Sequence, residues 1–154
     1  MATQTTVHLH KYQHFEDLQL SAREFYALVR DMIAQYQYPD VTCTPVTLKE
    51  GGLFSSRRDY LRISRERYHY FLCASPFGRS FFISWWLQED EHVAANMAKK
   101  IPLLGEALST RLESRTYYEL DTQLMFTSSI NALITSAVEK VKLDKGFKAS
   151  LING

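Results

Sequence analysis

The sequence predicts an α+β fold: a four-stranded, mainly antiparallel sheet, with an N-terminal amphipathic helix on one face and C-terminal helices at the other face or the end. Three observations carry this. The run from Tyr60 to Leu87, YLRISRERYHYFLCASPFGRSFFISWWL, is rich in aromatic and β-branched residues and is broken by two tight connections. Ser21 to Tyr36 carries apolar residues at helical spacing behind a helix-start signal. From Asp90 onward the helical spacing returns.

The 154 residues fit one domain with a core of ordinary size. We place that domain at 19–146, after an arm over 1–18 and before a tail over 147–154. The arm, MATQTTVHLHKYQHFEDL, is polar and dotted with histidine, and reads as flexible or extended. Next, Ser21 and Glu24 have the spacing of a capping box, in which hydroxyl and carboxylate satisfy free backbone N–H groups reciprocally. Phe25, Leu28, Val29, Met32, Ile33 and Tyr36 then form one stripe. Pro39 stops the helix, because proline disfavours helical geometry in the residue before it.

Val41 to Leu48 alternates and is β-branched, hence a strand. Pro45 cannot donate to a ladder and puts that strand at an edge. In the aromatic run, a two-residue turn at Glu66-Arg67 pairs Arg65 with Tyr68, Ile63 with Tyr70 and Leu61 with Leu72. A four-residue connection over Ser75–Gly78 pairs Leu72 with Phe81, Tyr70 with Ile83 and Tyr68 with Trp85. Directly opposed residues share a face. One face is then Leu61, Ile63, Tyr70, Leu72, Phe81, Ile83, Trp85 and Leu87, a core face for the first helix to cover. The other is Tyr60, Arg62, Ser64, His69, Phe71, Cys73, Ser80, Phe82, Ser84 and Trp86, too aromatic for a solvated face and too polar for a deep core.

Beyond the sheet, Glu91–Lys100 reads as a helical segment and Pro102 opens a second. Thr116–Leu120 reads as a short strand or extended connection. Asp121 caps a long final helix from Thr122 to about Leu143, ended by Gly146.

The net charge of +1 supplies no global field for nucleic acid or an anionic membrane. Cys43 and Cys73 are too few for a disulfide framework and sit in apolar runs, so they read as buried free thiols in a reducing, cytoplasmic setting. The N-terminus lacks the basic start and apolar run of a secretory signal, and no segment reaches the roughly 18 apolar residues of a membrane span.

His8, His10 and His14 invite a zinc reading, but their spacing has no rigid element beneath it and no cysteine partner, so no metal and no cofactor is assigned. No GxSxG, HExxH, glycine-rich phosphate loop or CxxC is present. Cys73 and His69 lie four residues apart on one strand, about 13 Å along an extended chain, beyond a thiolate–imidazole pair. The candidate binding surface is Tyr60, Arg62, His69, Phe71, Phe82 and Trp86. It suits a protein partner or a second copy of the chain, and the leading expectation is a non-enzymatic, self-associating binding or assembly module. Aromatics beside Arg62 leave open a binder of single-stranded nucleic acid. An enzyme with a site scattered in sequence stays open as well. The amphipathic segment Val93–Leu112, with Lys99 and Lys100, suits contact with a membrane periphery.

The blocks GGLFSSRRDYLRI (Gly51–Ile63), CASPFGRSFFISWWL (Cys73–Leu87) and RTYYELDTQLMF (Arg115–Phe126) resemble a family of small uncharacterised bacterial proteins. Some relatives of that kind carry a membrane-like stretch between the sheet and the Tyr-Tyr block. Here Asp90–Leu112 fills that place and is too polar to span. The resemblance implies bacterial origin and membrane proximity and brings no catalytic residues. The order of elements also resembles small secretion-chaperone-like dimers, at the level of fold alone.

Overall fold

The computed structural model describes residues 5–49, 57–90 and 105–145, with side-chain surroundings for 7–49, 57–90 and 117–145. The element order is β1 (Thr5–Glu16), α1 (Ala22–Tyr36), β2 (Thr42–Lys49), β3 (Arg57–Arg65), β4 (Tyr68–Phe77), β5 (Ser80–Asp90) and α2 (Gly105–Asp144). The strands form one antiparallel sheet in the order β1-β5-β4-β3-β2.

Among the described residues the sheet therefore has five strands, not four. The added strand, β1, comes from the residues read as an arm. Along it Leu9, Lys11, Gln13 and Phe15 fall opposite core-face residues of β5, while His10, Tyr12 and His14 fall on the other face. This is a period-two alternation that the histidines and charges disguise.

α1 forms as its sequence dictates. Ser21 Oγ accepts from the Glu24 N–H at 3.1 Å, and the Glu24 carboxylate accepts from the Ser21 N–H at 3.0 Å. Gln37 closes the helix in the left-handed conformation, φ 51°. At the β3–β4 turn Glu66 also takes a left-handed conformation, φ 54°, and the expected pairs Arg65–Tyr68, Ile63–Tyr70 and Leu61–Leu72 all form. β2 is an edge strand, as Pro45 requires.

The β4–β5 register differs from expectation. The turn is the two residues Gly78-Arg79, with Gly78 at φ 60°, so Phe77 pairs with Ser80 and Leu72 with Trp85. Ser75-Pro76 continues the strand. The Ala74 N–H bonds the Tyr26 hydroxyl and not β5, and N–H groups two residues apart point to the same side. The missing N–H of Pro76 thus points away from β5, beyond the end of the β3–β4 ladder, and costs no bond. The pairing slides by four residues. An even slide leaves every side chain on its face, so the sorting of the two faces stands.

Both helices lie on the same face of the sheet, where the sequence had suggested opposite faces or an end. Phe25, Val29 and Ile33 of α1, and Phe126, Ile130, Leu133, Ile134, Ala137, Val138 and Val141 of α2, join Leu61, Ile63, Tyr70, Leu72, Phe81, Ile83, Trp85 and Leu87 in one core. The buried polar tips are satisfied. The Tyr70 hydroxyl donates to the Thr127 carbonyl at 2.6 Å, and Trp85 Nε1 donates to Asn131 Oδ1 at 3.0 Å. The Tyr26 hydroxyl donates to the Asp59 carbonyl at 2.6 Å while accepting from Ala74, replacing a ladder bond where β3 and β4 part.

The Tyr-Tyr block is helical, not extended, and Asp121 lies inside α2. From Glu106 to Lys145 no glycine or proline interrupts the chain, so helix continuation outweighs the local β preference of two tyrosines. The expected helix over 91–100, the start at Pro102, the stop at Gly146 and the tail over 147–154 lie outside the described residues, as does most of Val93–Leu112.

Candidate functional site: the second face of the sheet

Because α1 and α2 share one face, the other face meets neither. In its middle, Cys73 of β4 opposes Ser84 of β5, and both are buried although no described element lies over them. Larger neighbours on the same face, Tyr60, Phe71, Phe82 and Trp86, rise around this small pair. On the same face is a depression of about 410 Å³ lined by Val7, Leu48, Tyr60, Phe71, Trp86 and Gln88, with every strand contributing. All six residues expected at the site, Tyr60, Arg62, His69, Phe71, Phe82 and Trp86, lie on this face and are half-buried.

β1 brings in residues that sequence reasoning placed elsewhere. The His10 ring stacks on Trp86 with centroids 3.5 Å apart, and Tyr12 stacks on Phe82 at 5.9 Å. His14 opposes Phe82. His8, at the β-bulge between Val7 and Leu9, turns out of this row and bonds Glu89 at 2.6 Å. The imidazoles of His8 and His10 thus take separate partners, Glu89 and Trp86. Among the described residues no group of three or more His, Cys, Asp or Glu side chains is placed to hold a metal.

At the end of the face near the β3–β4 turn is a chain of hydrogen bonds. Ser64 Oγ and His69 Nδ1 are 2.6 Å apart, and His69 Nε2 and Asp90 Oδ2 are 2.7 Å apart. The carboxylate fixes the proton positions. An ionised carboxylate only accepts, so Nε2 carries the hydrogen and donates to Asp90. In the neutral ring Nδ1 then holds the lone pair, and the Ser64 hydroxyl donates to it. Sequence reading put Ser64 on this face beside His69 but kept only His69 as a candidate, and it passed over Asp90. The signal was there for Ser64, because the two-residue turn at Glu66-Arg67 sets it directly opposite His69. Asp90 was out of reach, since its position depends on the β4–β5 slide.

Arg62, on the same face of β3, is half-buried, and its Nε is shielded from solvent with no acceptor among the described residues. Burial pushes both thiols above their ordinary pKa, for Cys43 against the opposing pull of Arg30 and for Cys73 against that of Arg58. Both cysteines are free, and a thiol held protonated is a poor nucleophile. Among the described residues, no helix is long and apolar enough to cross a membrane.

A second apolar surface, not covered by any of the described residues, lies on α2. From Tyr117 onward the first buried residue of the helix is Phe126, and Glu119 reaches Arg67 at the β3–β4 turn, 3.7 Å apart. The helix meets the end of the sheet there. Just at that point Tyr117, Tyr118, Leu120, Leu124 and Met125 are exposed, the two tyrosines by 79% and 77%.

Compared with known proteins, the chain matches no family model, no curated protein and no solved structure.

Proposed function

We propose that this chain is a binding and assembly module that pairs with a second copy of itself. The observation that carries the reading is the placement of both helices on one face, which leaves a concave aromatic face of five strands uncovered by either. A contiguous apolar surface of this kind is uncommon on a monomer in water. The same chain offers a matching convex surface in the exposed turns Tyr117–Met125 of α2. A single two-fold axis that lays this part of each helix on the Tyr12–Phe82 end of the other copy's sheet face, clear of the depression, joins both surfaces at once, which is the self-complementarity a closed dimer needs. The net charge of +1 opposes such pairing very little.

Light scattering coupled to size exclusion tests this. The full chain is expected to run as a dimer at micromolar concentration. Phe82→Lys on the face and Leu124→Glu on the helix each convert it to a folded monomer. A wild-type monomer at all concentrations overturns the reading. So does a dimer that survives both substitutions.

A further inference from the structure

We propose that Ser64, His69 and Asp90 form a nucleophilic site for acyl transfer, with a carboxylic ester bearing a short apolar acyl chain as the class of substrate. This goes beyond the assembly reading and does not rest on it. Three features of the geometry converge. The tautomer forced by Asp90 leaves His69 Nδ1 as the acceptor of the Ser64 hydroxyl proton, at 2.6 Å. This is the connectivity of a serine–histidine–carboxylate triad with the two ring nitrogens exchanged, and roles, not atom labels, define such a site. The His69 side chain is only 16% exposed, so its bond to Asp90 is partly shielded from water, while Asp90 keeps one side open. The apolar depression begins immediately beside the imidazole, with the Phe71 ring 6.4 Å from it and Gln88 directly opposite it on β5.

The chemistry closes. Ser64 Oγ attacks the ester carbonyl carbon as its proton passes to His69 Nδ1, and Asp90 offsets the charge of the imidazolium. The tetrahedral intermediate expels the alkoxide, which leaves as the alcohol with the proton from Nδ1. Water then gives a proton to Nδ1 and attacks the acyl-serine. The carboxylic acid departs, and Ser64 recovers its hydrogen. Arg62, two residues along the same face and about 7 Å away along the strand, has a buried Nε with no acceptor among the described residues and can offer its charge to the developing oxyanion. Gln88, whose carboxamide makes no hydrogen bond among the described residues, faces the same space.

The test is covalent labelling of the full chain with an alkyl fluorophosphonate, read by intact mass and peptide mapping. We expect one adduct, on Ser64, absent in Ser64→Ala. Labelling slows by about a hundredfold or more in His69→Gln, the scale of general-base assistance. Asp90→Asn, which keeps the shape of the side chain but not the forced tautomer, slows it by about tenfold or more and guards against a folding defect in the histidine variant. Turnover of p-nitrophenyl butyrate is lost with Ser64→Ala. No adduct on Ser64, an adduct at an unchanged rate in His69→Gln and Asp90→Asn, or ester turnover that survives Ser64→Ala each overturns the proposal. Light scattering on Ser64→Ala reports assembly separately, so the two readings fail independently.

Discussion

Tyr26 and Tyr70 do with one hydroxyl each what a longer polar side chain would need more room to do. Both rings are packed against the core, both hydroxyls are hydrogen-bonded, and burial pushes both well above the ordinary tyrosine pKa. This has a consequence at high pH. In the unfolded chain tyrosine ionises near pH 10, whereas in the fold these two hold their protons further. Above about pH 10 the unfolded state therefore binds fewer protons than the native state, and stability falls as pH rises. The contribution is present in full below the unfolded pKa and is lost as the pH climbs toward the folded value. Melting temperatures between pH 9 and 11 should show the decline, and Tyr70→Phe should flatten it while lowering stability at neutral pH by roughly 1 kcal/mol, through the lost bond to Thr127.

Among the elements, α1 was the most legible, because its cap, its stripe and its stop are all local. Replacing Ser21 with Ala removes one half of the reciprocal cap and should cost about 1 kcal/mol in urea unfolding, with the slope of the transition unchanged. β1 was the least legible. Its outward residues are histidines and a tyrosine, and its inward ones include Lys11 and Gln13 opposite Trp85 and Ile83. Those two long side chains lie at the edge of the sheet, where they can cover apolar surface and still reach water. Hydropathy cannot see that arrangement, although the alternation itself could have been counted. The Ser-Pro pair misled for a related reason. Its turn chemistry is real, but Gly78 lets the hairpin run further and make more ladder bonds, and the proline has no partner to lose on its open side.

For the molecule as a whole, the sorting of the sheet into two faces was readable because side-chain direction depends only on parity, and the register error was even. Which face the helices cover was not readable, since it depends on how the chain leaves β5 and returns along α2. The aromatic floor of the candidate site could therefore be named residue by residue, but its concavity and the Ser64–His69–Asp90 chain could not. Both depend on neighbours brought in from β1 and from the far end of β5. The structure also changes what the first residues are for. Deleting residues 1–16 should strip the edge from β5, uncover Phe81 and Ile83, and remove Phe15 from the core. We expect the truncated chain to lose its cooperative thermal transition in circular dichroism, whereas removal of an unstructured arm would leave the transition in place.

The pairing of β1 with β5 has a further consequence, in time. β2 to β5 form a meander in which each strand meets its neighbour across a short connection. β1 meets its partner only across the whole of that meander, with Thr5 opposite Asp90 and Glu16 opposite Ser80. Closing such a long loop is paid in chain entropy before any ladder bond forms, which makes it the slow step of a sheet. During synthesis β1 leaves the ribosome first among the strands and waits longest. Its partner appears only after the rest of the sheet has been made, so the strand that begins the fold is the one that completes it.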